Sequence, residues 1–178
     1  MKDLKRKFSA LALTALFASM QISYAAIDTG LGAGNGGAVI NNTTGGFVNG
    51  VAGNGSYDLN FNGNSHVNWD SLNVNKNESL NFNAVGGAKD LTILNTVNTG
   101  MSTIYGQINA NSGIGKLIIS NPNGVLFDGA KFTTAGDLQL TTKDLSNVKV
   151  EDLGKLNIDN AKFTKLYDNN GKLISIKI

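Results

Sequence analysis

Cysteine is absent from this chain of 178 residues, and proline, tryptophan and histidine occur once each, as Pro122, Trp69 and His66. Without cysteine there is no disulfide, no thiol chemistry and no thiolate metal cluster. A lone histidine cannot assemble a conventional metal site either, and His66 reads as a polar residue on a strand face. Arginine is equally scarce, with Arg6 the only one. Helical stripes are missing as well: nowhere does a 3.6-residue apolar period persist for three turns. What the chain has instead is asparagine and glycine, the latter 22 times. That composition suits many short strands joined by tight corners.

The first residues stand apart. Lys2, Lys5, Arg6 and Lys7 form a basic stretch, Phe8 to Met20 is apolar, and Ser23-Tyr24-Ala25 puts small residues at the two positions a signal peptidase reads. Residues 1–25 are read as an export signal cleaved after Ala25, with Ala26 as the alternative. The apolar stretch is too short for a comfortable transmembrane anchor. Its removal takes four of the 15 basic residues and one of the 13 acidic ones, leaving 11 against 12 and a net charge of −1. Nucleic-acid binding thereby loses its electrostatic argument. No later stretch is long and apolar enough for membrane insertion. The remaining 153 residues (178 less 25) suffice for one domain with its own core.

Residues 26–56 are dense in Gly and Asn and read as irregular structure or an N-terminal cap. Gly32-Ala33-Gly34-Asn35-Gly36-Gly37 matches GxGxxG, but no strand pattern precedes it and no helical one follows, so it is not a dinucleotide site. From Tyr57 apolar residues alternate with Asn in short runs: Leu59-Asn60-Phe61, Val67-Asn68-Trp69, Leu72-Asn73-Val74 and Leu80-Asn81-Phe82. Later runs are Leu91–Leu94, Leu117–Ile119, Leu138–Leu140, Leu156–Ile158 and Leu173–Ile176. Period-2 alternation predicts half-buried strands. Asn170-Gly171 predicts a two-residue C-terminal hairpin. An antiparallel sandwich and a stacked solenoid both accommodate this pattern. Asn abundance favours the solenoid, because stacked Asn side chains at corners can bond to each other and to turn backbone.

Asn121-Pro122-Asn123-Gly124-Val125 stands between two apolar runs, Lys116–Ser120 and Val125–Phe127. Pro122 presets the second residue of a turn and Gly124 accepts positive φ, so a rigid corner is expected. Loss of either Asn amide is expected to cost about 0.5–1.5 kcal/mol. No Gly-Gly-x-Gly-x-Asp array supports a calcium roll. A polysaccharide lyase needs a basic proton acceptor in an acidic groove, and without arginine only lysine is left for that role. No catalytic, cofactor or metal residue is assigned.

The order of motifs from Val67 to about Thr142 resembles the N-terminal secretion domain of two-partner secretion exoproteins, the filamentous haemagglutinin-like adhesins and haemolysins of Gram-negative bacteria. The resemblance rests on Trp69-Asp70-Ser71-Leu72-Asn73-Val74, Leu80-Asn81-Phe82-Asn83, Leu94-Asn95-Thr96-Val97, the stretch from Ser102 to Asn111, and the intact 121–125 signature. Leu72 departs from the family's usual aromatic, and the Gln-Pro and Asn-Arg that often flank the Leu-Asn element are absent. The resemblance implies an all-β fold, a right-handed parallel β-helix over residues 57–178. It implies Sec export, recognition by the POTRA domains of an outer-membrane transporter, and folding at the cell surface. Residues 121–125 with Asn95 and Val97 are the expected recognition or structural motif. A short surface adhesin or truncated remnant binding a host glycan or matrix protein is the alternative.

Overall fold

The computed structural model describes residues 26–158, 164–167 and 173–177, the last two segments by their strand pairing. The expected leader and its cleavage position at Ala25 lie outside the described residues. Ala26, the first described residue, is exposed.

Alternation drives the architecture. In β3 (Ser56–Ser71) the odd positions Tyr57, Leu59 and Phe61 point inward and are buried, while Asp58 and Asn60 point out. Beyond the Gly63 region the strand changes partners: its first half pairs in parallel with β4 (Ser79–Ala84) and its second half with β5 (Leu91–Val97). The same two walls continue in parallel through β7 (Gln107–Ala110) and β10 (Lys131–Thr134) on one side, and through β8 (Ile114–Ser120) and β11 (Asp137–Thr141) on the other. A third wall is made by β6 (Ser102–Ile104) and β9 (Val125–Phe127), with Val74 bridging to Ile104 above them. The result is a mostly parallel β-solenoid of about four turns.

The interior is a single apolar column. Phe61 stacks on Phe82 at 6.2 Å, and Phe127 meets Phe132 edge-on at 5.0 Å. Outward amides bond from coil to coil: Asn81 donates to Asp58 (2.7 Å), Asn109 to Asn81 (2.8 Å), and Asn98 to Asn68 (2.7 Å). The stacking of Asn was expected at corners, whereas these ladders run chiefly along the strands, where outward positions of successive coils stand in register.

Three local expectations need correction. Residues 26–56 are not simply irregular: β1 (Ile27–Asp28) and β2 (Val39–Gly53) form within them, and β2 runs antiparallel along β3. The glycines that hid this strand are required by it. A Cβ at Gly46 would strike the backbone of Gly63, and one at Gly50 the ring of Tyr57. Leu72–Val74 contributes a single bridge rather than a strand. Leu156–Ile158 is not a strand either. It ends a segment, residues 143–158 with a 3-10 helix at Val150–Lys155, that crosses the outside of the β5–β8 wall. There Leu145 and Leu153 bury against Leu94 and Ile118, which makes both faces of that wall apolar. The C-terminal strands pair as a hairpin, as expected. β12 (Thr164–Tyr167) and β13 (Leu173–Lys177) run antiparallel, and β13 continues onto β9. The Asn170-Gly171 pair expected to turn the hairpin lies outside the described residues.

Candidate functional site

The 121–125 corner joins β8 to β9 in the third coil. Its turn closes with the Gly124 N–H donating to the Asn121 carbonyl at 2.9 Å, and Gly124 adopts φ +89°. Only a residue without Cβ takes that conformation at no steric cost. Pro122 and Asn123 are exposed, whereas Asn121 is 0% exposed and Val125 is buried in the column.

Asn121 fastens three coils together. Its amide nitrogen donates to the Gly100 carbonyl and the Ser102 hydroxyl of the coil before, both at 3.0 Å. Its Oδ1 accepts the Asn123 N–H at 2.9 Å, and its backbone N–H donates to the Thr141 carbonyl of the coil after. Every polar atom of the side chain is satisfied without water.

Asn95 behaves alike, from inside. Its register with Val67 and Ile119 turns it toward the column, among apolar neighbours, where it is 0% exposed. Burial there is tolerable because the Trp69 indole N–H donates to its Oδ1 at 3.0 Å, and its own amide donates to the Ile118 carbonyl at 3.1 Å. Trp69, Asn95 and Ile118 thus link three successive coils. Val97, beside Trp69 in register, is buried in the same column. The structure therefore does not gather the expected motif residues into one exposed patch. Asn95, Val97, Asn121 and Val125 face inward or into a corner, and only Pro122 and Asn123 are open.

Glu78, which the sequence did not single out, holds the N-terminal loop together with Asn73 of the Trp69–Val74 motif. Glu78 Oε2 accepts the N–H groups of Gly32 and Asn75, each at 2.7 Å. Asn73 donates to the carbonyls of Asn35 and Gly37 and accepts from Thr103 at 2.8 Å. A carboxylate opposite a Gly-rich loop was the available signal, since such loops offer free N–H groups to an anion. No group of three or more His, Asp or Glu among the described residues is placed to hold a metal ion.

Comparison with known proteins gives the family. A model described as the TPS secretion domain matches residues 27–176, a span that takes in the Gly/Asn-rich segment as well. Among solved structures, the chain is similar to the HMW1 secretion domain from Haemophilus influenzae, with a TM-score of 0.54 and 22% identity. That match covers 64% of this chain and 29% of the other, and at this identity it concerns the fold. No curated protein matches. A domain of this class implies secretion and a partner transporter in the outer membrane. The chain belongs to the TPS secretion domains of two-partner secretion exoproteins.

Proposed function

We propose that this chain is the secretion-targeting domain of a filamentous haemagglutinin-like exoprotein, read in the periplasm by the POTRA domains of its transporter while still unfolded. The family match over residues 27–176 carries the reading. The burial of Asn95 and Asn121 supports its unfolded form, because amides already bonded inside the coils have nothing left to offer a partner. In an extended chain the same residues are open, and an extended segment can add to the edge of a partner's sheet through its backbone. The chain reaches the periplasm by Sec export, is threaded outward, and folds at the cell surface. Stacking each coil on the last then makes the passage irreversible.

Co-expression with a two-partner secretion barrel tests this. The chain should appear outside the cell only when the barrel is present with its POTRA domains. Equal release with those domains deleted would remove the proposed recognition step.

A further inference from the structure

We propose that residues 143–158 are an acid-released strap, latched across the outer wall of the solenoid by the uncharged ring of His66. The strap lies over β3 and β5, where its Leu145 and Leu153 cover Leu94 and Ile118. His66 projects outward from β3, on the face opposite Val67 and Trp69, yet it is only 7% exposed. Its Nε2 sits 2.7 Å from the Thr96 hydroxyl of β5, and the strap packs over it, with the 3-10 helix against β3 and Val148 against the Leu94 and Ile118 cluster. The only imidazole of the chain is therefore enclosed between wall and strap.

Nothing around it welcomes a charge. The flanking strands β2 and β5 carry no ionisable side chain. On its own strand Asp58 and Asp70 are also outward, but they bond to Asn81 and Asn41. The strap's charged residues, Lys143, Asp144, Lys149, Glu151, Asp152 and Lys155, are all exposed. Asp144 is held low by the Ser146 N–H and stays ionised. Thr96 can turn its hydroxyl to accept from a protonated ring, but it supplies no negative charge.

Desolvation accordingly holds His66 below its ordinary value of 6.5, with the polar backbone of Val148 partly opposing the shift. The sign follows from linkage. Between the lowered value and 6.5, the strap-released form binds more protons than the strapped form, so docking is complete above 6.5 and weakens as pH falls. One proton limits the change to about tenfold in the opening equilibrium per pH unit. Other fastenings, such as the Ser120 hydroxyl to the Lys143 carbonyl at 2.6 Å, involve no group that titrates in this range. Release would uncover Leu94 and Ile118, both 0% exposed when strapped, and turn a polar outer wall into an apolar one.

The test needs protein made without a histidine tag. Proton NMR follows the His66 ring through a pH titration, while hydrogen exchange follows the strap amides at pH 7.5, 6.5 and 5.5, corrected for intrinsic rates. His66 should titrate below 6.5. Strap protection should fall by up to tenfold per unit below that pH while β5 and β8 keep theirs. In His66→Gln, which stays uncharged, strap protection should no longer depend on pH. A ring titrating at or above 6.5, or a strap equally acid-sensitive in His66→Gln, overturns the proposal. Should that variant not fold, the wild-type protein decides: a low titration midpoint with a strap indifferent to pH overturns it as well.

Discussion

Trp69→Ala should destabilise the folded chain by about 3–5 kcal/mol, read as a shift in the urea midpoint. Two losses combine. The indole is 0% exposed in the first coil, so its removal leaves a cavity in a close-packed column. It also strips the donor from Asn95 Oδ1, a polar atom with no access to water. Because Trp69 is the only tryptophan, its fluorescence reports on the site directly, and emission in the folded protein should be that of a buried indole. A water-exposed emission maximum, or a loss below 1 kcal/mol, would contradict the packing described.

The second large effect lies at the corner, where three substitutions separate backbone, buried amide and exposed amide. Gly124→Val forces a β-branched residue into φ +89° and should cost about 1–3 kcal/mol. Asn121→Ala orphans the Ser102 hydroxyl, buried at 1% exposure, and takes a donor from the Gly100 carbonyl, which raises the expected loss to about 1–3 kcal/mol. That exceeds what a turn residue alone would suggest. Asn123→Ala removes an exposed side chain and should stay within about 0.5 kcal/mol of wild type. Denaturation curves for the three variants check the order. Equal losses at 121 and 123 would mean that Asn121 is not the fastening between coils.

Much of this architecture is visible in the sequence because one rule, alternation, governs it. Leu59-Asn60-Phe61 and Leu80-Asn81-Phe82 announce both their strands and their inward faces, and the Asn between them already marks the outer ladder. The coil period is not visible, and the ladder bonds explain why. Bonded partners in successive coils are separated by 23, 26, 28 or 30 residues, because the corners differ in length while the strands stay in register. Strand β2 is hidden by a different cause. It lies so close on β3 that side chains give way to Gly46 and Gly50, and the strand acquires the composition of a loop. The strap is hidden because Leu145, Leu153 and Leu156 are anchored by tertiary contact with Leu94 and Ile118, with no period of their own.

The candidate site divides along the same line. A turn at 121–124 with positive φ at Gly124 follows from local chemistry alone. The depth of Asn121 does not, since its partners are 19 and 21 residues away in another coil. Asn95 looks like a recognition residue in a one-dimensional reading. In register it is an inward amide held by Trp69, and only the pairing of β3 with β5 reveals that.

The central claim is that the transporter reads this domain unfolded and that the buried amides then belong to the fold. Binding of isolated POTRA domains tests it most directly, with the folded wild-type chain compared against Trp69→Ala/Asn121→Ala, once circular dichroism shows that this double variant has lost its β structure. The account predicts that the unfolded variant binds and the folded chain does not. Folded wild-type chain binding as tightly as the unfolded variant, or more tightly, would contradict it.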